Sequence, residues 1–571
     1  MYKKIFAQKI GSNKHLIHLW TDSGYEKIEW TNQAYVECDD SQATHTGLNG
    51  ESLRKISNWK YTPDKNSSYY SKNTSGLHFQ DIPAHQKFLI EKYGIDDTPS
   101  VTQKEFFFDI EIEMGEALTE EYIKSAPKKV TSIAWYDKQM DEWAILILDP
   151  KSNLKRTKSK TKEIIPCATE DELLLKFLEK FREIDPDMIV GWNSDYFDIP
   201  YLYYRMCNVL GEDVARYLSP IGYVRETPWF KDQYIQIAGV ESLDYMRLHK
   251  KFSWKDEPSF KLDAIGEKYA GLNKIEYDGN LDKLFDDDPL KFIEYNFRDV
   301  EILKVLDEKL EYLSLVKNLA HKGKHNYSEV YANTKTQDGA ISAYLLSKKI
   351  VPPAKDSNPF SKKNYAGGYL FCPKAGIYNY VFDEDLTSLY PSIIMTINIG
   401  KETMVGRIID ADDRNNRLGL NDLKRMDPEE ELLVENAKRS RTKVNVGRLI
   451  SMIEQNELSV SANGVLFNTN RESVLSTILK KWFDERVLYK NKMKKAYKAG
   501  DKELGAAFHM KQYTMKILLN SLYGATALGS FRYGNVILSE AITLSGQRII
   551  QESALAANRH INKVIKNEIE L

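Results

Sequence analysis

The segment 104–113 constrains the fold most, because its sequence predicts a strand that must be buried. It reads Lys-Glu-Phe-Phe-Phe-Asp-Ile-Glu-Ile-Glu, with three consecutive phenylalanines before alternating carboxylates and isoleucines. Apolar runs at 130–136 and 142–149 predict two further strands, and 188–192 predicts another. Helical spacing over 170–181 separates them. Strands interleaved with helices indicate an α/β layer.

The chain has 571 residues, too many for one hydrophobic core, so we expect several domains. Turn signals and strand-like alternation fill the first hundred residues, and two long helical stretches flank Ala499-Gly500-Asp501. The predicted domains are a strand-rich N-terminal domain (1–100, with helical residues 311–355 packing back on it), an α/β domain (101–310), an α+β segment (356–474), a helical hairpin (475–525) and a last segment (526–571). The predicted fold class is therefore a multidomain mixture of α/β and α+β.

Composition excludes several classes of protein. Lys and Arg number 80 against 82 Asp and Glu, so any nucleic-acid contact must come from local patches. No 18-residue apolar run occurs, which predicts no membrane span. The four cysteines form no CxxC pair, so we expect no structural zinc and a reducing compartment.

Carboxylates recur in three separate segments of the α/β region. Asp109 and Glu111 are two apart on a predicted strand and face the same way. Asp198 lies at a strand-to-helix entry, and Tyr295 and Asp299 share one helical face. Singly, these residues suit a solvated face, a helix cap and a surface pair. Together they are the inventory for two Mg²⁺ ions about 4 Å apart.

A second constellation begins at Asp385, which ends the predicted strand 380–385 and precedes the turn 386–390. A carboxylate at a strand end can hold a metal ion while the following backbone N–H groups face an anion. The alternative for an isolated Asp-x-x-Ser-Leu-Tyr is a loop beside a buried tyrosine.

The helical hairpin completes this constellation. Lys516, Asn520 and Tyr523 are spaced i, i+4 and i+7 and share one stripe. Arg486 and Lys490 are four apart on the preceding helix. These residues suit either a solvated, polar helix surface or a clamp for a triphosphate.

Taken in order, these motifs resemble those of family B DNA polymerases. The motifs are Phe108-Asp-Ile-Glu, Gly191-Trp-Asn-x3-Phe-Asp-Ile-Pro, Tyr295-x3-Asp, Asp385-Leu-Thr-Ser-Leu-Tyr-Pro-Ser and Lys516-x3-Asn-Ser-Leu-Tyr-Gly. The resemblance is strongest to the T-even-type bacteriophage members, through Leu243-Asp-Tyr followed by Lys250-Lys-Phe-Ser. It runs over nearly the whole chain.

The resemblance implies a 3′→5′ proofreading exonuclease with a ribonuclease H-like fold at 101–310. Asp109, Glu111, Asp198 and Asp299 would bind metal, and Tyr295 would orient the attacking water. Residues near the single-stranded 3′ end would be Trp192, Asn193 and Phe197.

The resemblance also implies a partial polymerase, with the palm at 356–474 and 526–571 and the fingers at 475–525. Asp385 and Leu386 would contact metal, and Tyr390 would exclude a ribose 2′-OH. Residues that would bind the dNTP are Ser388, Leu389, Tyr390, Arg486, Lys490, Lys516, Asn520 and Tyr523. Residues that would contact DNA in this part are Tyr365, Gly367, Gly368 and Gly524.

After these motifs the sequence differs from the family pattern. Family members continue with an Asp-Thr-Asp hairpin, whereas Asp501 is the last aspartate here. Two-metal catalysis needs at least two metal-binding carboxylates in the palm. We therefore expect the N-terminal subunit of a split polymerase for viral DNA replication. Its expected ligands are Mg²⁺ (with Mn²⁺ as a substitute), primer–template DNA, dNTPs, a second polypeptide carrying Asp-Thr-Asp and the thumb, and a sliding clamp bound through that polypeptide. The expected location is the cytoplasm of an infected bacterial host.

Two alternatives remain open from the sequence. One is a stand-alone 3′→5′ exonuclease with a relict palm, although a relict site should lose Lys516 and Tyr390 first. The other is a non-catalytic DNA-binding scaffold, although all four nuclease carboxylates are present.

Overall fold

The structure is a computed structural model. It describes residues 1–57, 77–115, 119–227, 235–253, 256–355, 366–371, 374–377, 385–386, 388–409, 418–437 and 439–569. The strands of the described residues are β1 (Tyr2–Lys9), β2 (Lys14–Thr21), β3 (Gly24–Thr31), β4 (Ala34–Glu37), β5 (His45–Gly47), β6 (Ser52–Ile56), β7 (Leu77–His78), β8 (Glu105–Ile112), β9 (Val130–Asp137), β10 (Glu142–Leu148), β11 (Thr157–Lys158), β12 (Lys162–Cys167), β13 (Met188–Gly191), β14 (Val224–Glu226), β15 (Ile235–Ile237), β16 (Glu241–Asp244), β17 (Ile350–Val351), β18 (Met404–Ile408), β19 (Glu431–Asn436), β20 (Arg441–Asn445), β21 (Leu458–Val460) and β22 (Val465–Asn468).

The helices of the same residues are α1 (Ala84–Tyr93), α2 (Glu120–Ser125), α3 (Glu170–Ile184), α4 (Asp198–Leu210), α5 (Glu212–Ala215), α6 (Tyr245–Phe252), α7 (Leu262–Ile265), α8 (Leu281–Asp287), α9 (Pro289–Leu310), α10 (Tyr312–Gly323), α11 (Asn333–Ser347), α12 (Leu389–Ile397), α13 (Leu420–Leu423), α14 (Val446–Gln455), α15 (Val474–Lys498), α16 (Lys502–Thr526) and α17 (Val536–Ile569). None of these helices has an apolar stretch long enough to cross a bilayer.

The chain divides into two compact units. Unit 1 comprises Met1–Asn32 and Pro83–Ala332, and unit 2 comprises Gln33–Ile82 and Asn333–Leu571. The segment predicted as one N-terminal domain is thus shared between the units, because β4 to β7 form a sheet with β17. The five predicted domain boundaries stay predictions.

Unit 1 is built on a seven-stranded sheet in the order β11-β12-β10-β9-β8-β13-β16. Strand β8 is central, antiparallel to β9 and parallel to β13. Phe106, Phe108 and Ile110 alternate along β8 and enter one core with residues of α3 and α4. The helix α9 lies against β8 and β9. The strands predicted at 104–113, 130–136, 142–149 and 188–192 are confirmed.

A smaller sheet, β1-β2-β3, packs with α1 in the same unit. The hydroxyl of Tyr2 donates to the carbonyls of Ala320 and His325, 2.9 Å from each. These bonds fix α10 to the first strand.

Unit 2 contains two five-stranded sheets, β17-β5-β6-β4-β7 and β20-β19-β18-β22-β21. The helices α15 and α16 pack as an antiparallel hairpin, and α12 contacts α15, α16 and α17. This confirms the predicted helical hairpin. The strand predicted to lead into Asp385 lies outside the described residues. The predicted multidomain α/β and α+β fold class is confirmed.

Candidate active sites

The first site is built on one face of β8. Side chains alternate along a strand, so Phe108 and Ile110 face the core while Asp109 and Glu111 face α9. The buried side of the strand therefore fixes the direction of both carboxylates.

Asp198 enters the site from the first turn of α4. Pairing between β13 and β8 ends at Val190 opposite Phe107. Beyond that point the Ile110 N–H donates to Asp198 Oδ1 at 3.3 Å. The Ile110 N–H, beyond the end of the β8–β13 pairing, therefore ties Asp198 to β8.

Helix α9 supplies Tyr295 and Asp299. Ligand oxygens of Asp109, Glu111 and Asp299 all lie within 4.8 Å of one another. Lys274 Nζ donates to Asp299 Oδ2 at 2.5 Å and to the Tyr295 hydroxyl at 3.1 Å. The structure thus brings Asp109, Glu111, Tyr295 and Asp299 together, and their catalytic roles stay predictions.

The cluster has an excess of carboxylates over cationic side chains, and burial together with this excess raises the carboxylate pKa values. Burial and repulsion from the other three carboxylates raise the pKa of Asp109 well above its ordinary range. Burial and the charge of Asp299 raise the pKa of Glu111 to about 8. Burial raises the pKa of Asp198 to about 7, and it raises that of Asp299 although Lys274 opposes it.

These residues fit a divalent cation. All four side chains offer carboxylate oxygens, the ligands that Mg²⁺ and Mn²⁺ prefer. Asp299 Oδ1 is buried and has no hydrogen-bond partner among the described residues. A buried acceptor left unpaired is costly, and a cation at this position would remove that cost.

Two residues of this site were missed from the sequence. Asn296 Nδ2 donates to Asp109 Oδ2 at 2.7 Å, and the Ser132 hydroxyl donates to Asn296 Oδ1 at 2.8 Å. The second residue that the sequence did not predict is Lys274, which contacts Tyr295 and Asp299. Asn296 directly follows Tyr295, which was a usable signal, but nothing in the sequence around Lys274 indicates that it meets α9.

The residues predicted to face the DNA 3′ end lie on the loop between β13 and α4. Asn193 adopts a left-handed conformation, with φ of 63°. Its carbonyl accepts from the N–H groups of Tyr196 and Phe197. A Cβ on Gly191 would come within 2.6 Å of the Ser194 Cβ, so this tight turn requires glycine. Trp192 Nε1 donates to the Phe260 carbonyl at 3.1 Å.

The second site, in unit 2, centres on Tyr390 in the first turn of α12. Its ring stacks on that of Tyr523 of α16, with centroids 4.4 Å apart and an interplanar angle of 27°. Ser388 precedes the helix in a left-handed conformation, with φ of 52°. The N–H groups of Leu389 and Tyr390 therefore lie in the first turn, where helix geometry leaves them without intrahelical acceptors.

Helix α17 closes one side of this site. A Cβ on Gly546 would come within 3.2 Å of the Tyr390 ring, so the helix approaches closely. Gln547 Nε2 donates to the Gly367 carbonyl at 2.7 Å. A Cβ on Gly368 would lie 3.1 Å from the Tyr390 hydroxyl. The predicted Gly-Gly segment is thus beside the predicted sugar-contacting tyrosine.

The predicted cationic residues lie on the helical hairpin. Lys516, Asn520 and Tyr523 share one face of α16, and Arg486 and Lys490 lie on α15. Lys490 and Asn520 are exposed, as is Gly524. The Arg486 Nε–H is buried and finds no acceptor among the described residues.

Asp385 and Leu386 are both exposed. Tyr365 lies outside the described residues. Its predicted role stays a prediction, as do the roles predicted for Asp385 and Leu386.

Comparison with known families agrees with this geometry. The family described as DNA polymerase family B matches residues 332–570. The exonuclease domain of DNA polymerase family B matches residues 87–265. Together these matches cover most of the chain, and it belongs to the family B DNA polymerases.

Two curated relatives are DNA-directed DNA polymerases of bacteriophages. That of Escherichia phage RB69 is 29% identical over 71% of this chain and 47% of its own length. That of Enterobacteria phage T4 is 27% identical over 70% of this chain and 47% of its own length. The chain therefore spans about half the length of these relatives.

A solved structure of the family B DNA polymerase from the archaeon Pyrobaculum calidifontis has the same fold. The TM-score is 0.66 at 15% identity, covering 97% of this chain and 72% of that one.

Proposed function

We propose that unit 1 is a metal-dependent 3′→5′ exonuclease acting on single-stranded DNA ends. The observation that carries this proposal is the convergence of Asp109, Glu111, Asp198 and Asp299, with one acceptor oxygen of Asp299 left unpaired. Divalent cations bound there would activate a water and stabilise the leaving 3′-oxygen.

The chain's own residues would prepare this chemistry. Asn296 and the Ile110 N–H hold Asp109 and Asp198 in fixed orientations. Lys274 holds the Tyr295 hydroxyl at the edge of the cluster, where it could orient a water. Lys274 stays protonated, because the attraction of Asp299, Tyr295 and Asp109 outweighs burial and raises the pKa of Lys274.

We further propose that unit 2 contributes to a DNA-directed DNA polymerase site. The stacked pair Tyr390 and Tyr523 would form the floor under the nucleotide sugar and base pair. Lys516 and Arg486 would neutralise the triphosphate. The assignment of Arg486 is supported by its buried Nε–H, which has no acceptor among the described residues. An anion could provide that acceptor.

The polymerase site needs carboxylates from outside these residues. Asp385 is its candidate metal ligand, and two-metal catalysis needs at least one further carboxylate. We propose that a second polypeptide supplies Asp-Thr-Asp, the rest of the palm and the thumb, and that it recruits a sliding clamp. The assembled enzyme would replicate viral DNA in the cytoplasm of an infected bacterium.

The test is a gel assay with a labelled primer–template, Mg²⁺ and all four dNTPs. The purified chain should shorten the primer without extending it, and adding a polypeptide with Asp-Thr-Asp should allow extension. Extension by the chain alone would contradict the need for outside carboxylates. Absence of shortening would contradict the exonuclease. A single natural polypeptide carrying both segments would contradict the second chain.

A further inference from the structure

A second pair of buried carboxylates lies near the nuclease cluster, and the mechanism above does not use it. Asp244 and Asp195 are 0% and 2% exposed, and Asp195 forms an ion pair with Arg247. Arg247 Nη1 donates to Asp195 Oδ2 at 2.6 Å. Asp244 is the last residue of β16 and belongs to the sequence motif Leu243-Asp-Tyr. Burying two carboxylates is costly, which favours a functional role for this pair.

The acceptor oxygens of Asp244 bind the backbone of the β13–α4 loop. Asn193 N donates to Asp244 Oδ1 at 3.1 Å, and Asp195 N donates to Oδ2 at 3.4 Å. The same carboxylate also caps α6, accepting from Met246 N at 3.0 Å and from Arg247 N at 3.3 Å. One side chain therefore joins the loop to the start of a helix.

The rest of the cluster fixes Asp195 and Arg247. The Ser242 hydroxyl donates to Asp195 Oδ1. The guanidinium of Arg247 lies 3.9 Å from the centre of the Tyr331 ring, and the Tyr331 hydroxyl donates to the Asp244 carbonyl at 3.1 Å. Arg247 is thus held on both sides, and it in turn holds the loop at Asp195.

The anchored loop carries Asn193 and Phe197 and leads into the metal ligand Asp198. We propose that Asp244, with Asp195 and Arg247, positions this loop for binding the single-stranded DNA 3′ end. Asp198 has its own anchor at Ile110 N. Loosening the loop should therefore weaken DNA binding more than it slows the chemical step.

This inference rests on the proposed exonuclease. An amide at position 244 keeps the shape of the side chain, but its nitrogen cannot accept a hydrogen bond. Asp244→Asn should raise KM for a single-stranded oligonucleotide about tenfold, the ratio expected when one charge-assisted hydrogen bond is lost. The value of kcat should change much less.

The control is Asp187→Asn at the opposite end of β13. Asp187 is also buried and paired, accepting from Lys104 N at 3.0 Å and bridging to Lys3 and Lys4. It does not touch the β13–α4 loop in the described structure. This variant should lose stability without a change in KM.

The measurement has two parts, both on the full chain. Steady-state nuclease kinetics give KM and kcat, and anisotropy of a fluorescein-labelled single-stranded oligonucleotide in EDTA gives DNA affinity without turnover. Arg247→Lys, which keeps the charge but loses the planar fork, should give a smaller increase in KM and serves if Asp244→Asn fails to fold.

Unchanged KM and anisotropy in both variants would overturn the inference, as would equal losses in the Asp187 control. The proposed exonuclease is tested separately by wild type against Asp198→Asn. If wild type degrades DNA and Asp198→Asn does not, an unchanged KM in Asp244→Asn counts against the positioning role alone.

Discussion

The two sites differ in the sign of the charge that they assemble. In unit 1, four carboxylates meet with one lysine, and burial raises the carboxylate pKa values. In unit 2, a tyrosine stack joins α12 to α16, and cationic side chains lie on α15 and α16. A cluster short of positive charge favours metal ions, whereas a cationic helix face favours phosphate.

The two sites also differ in the secondary-structure elements that position their residues. The nuclease carboxylates come from a central strand and two helices that lie on its sheet, so packing fixes their directions. The unit 2 residues lie on helices, and close approaches at Gly546 and Gly368 set the tyrosine.

The largest expected effect is in the carboxylate cluster. Asp299→Asn should lower kcat for nuclease cleavage about a thousandfold or more, because the carboxylates act as one unit. Nucleotide binding by unit 2 should be unchanged, measured by fluorescence titration. The matched control is Glu301→Gln, a partly exposed acid on the same helix that pairs with Arg298, and it should retain nuclease activity. Equal losses in both variants would show that helix α9, and not the cluster, is affected.

The next effect concerns the buried ion cluster of unit 2. Arg532 is 1% exposed and pairs with Asp81 at 2.8 Å and Asp338 at 3.2 Å. Arg532→Ala should destabilise unit 2 by about 3–5 kcal/mol, because it removes the ion pair of buried Asp81 and leaves Asp338 with Lys355 alone. Hydrogen exchange should report lost protection in unit 2.

The control for Arg532 is Arg548→Ala in the same unit. Arg548 is partly exposed and pairs with Asp422 and Glu552, so its loss should cost less than about 1 kcal/mol. A similar loss of protection in both variants would contradict the special role of burial.

A smaller difference is expected in the response to acid. Burial, with the charge of Lys324, lowers the pKa of His321 in unit 1 to about 3. This group stabilises the fold fully above pH 6.5, and the contribution is lost as the pH falls toward 3. The loss should be about 2 kcal/mol at pH 5, and His321→Gln should flatten it. Urea unfolding at pH 7.5 and pH 5 measures it; an equal pH dependence in the variant would assign the loss to other groups.

The smallest expected effect is at the helical hairpin. Lys516→Ala should weaken dNTP binding about tenfold, because a charge-assisted contact with phosphate is lost. Lys498→Ala, at the end of α15, is the matched control and should change affinity little. Fluorescence titration with a dNTP measures both. If the two variants behave alike, the stripe of Lys516, Asn520 and Tyr523 has no specific role in binding.

Much of this protein could be read from its sequence because the relevant signals are local. The triple phenylalanine before Asp109 predicts a buried strand, and period-two alternation places Glu111 on the same face. Helical spacing joins Tyr295 to Asp299 and Lys516 to Tyr523. These periodicities depend on backbone geometry alone, and the structure has β8, α9 and α16 where they predict them.

Contacts between distant segments could not be read in this way. Lys274 meets Asp299 and Tyr295 only because the chain after α7 returns to α9, and Ser132 meets Asn296 across the sheet. Asp244 reaches the β13–α4 loop because β16 is parallel to β13 and ends beside it. The sequence by itself determined which residues could carry the chemistry and on which local element they lie. Tertiary structure decided which of them meet, since strand pairing and helix packing join residues that no local period relates.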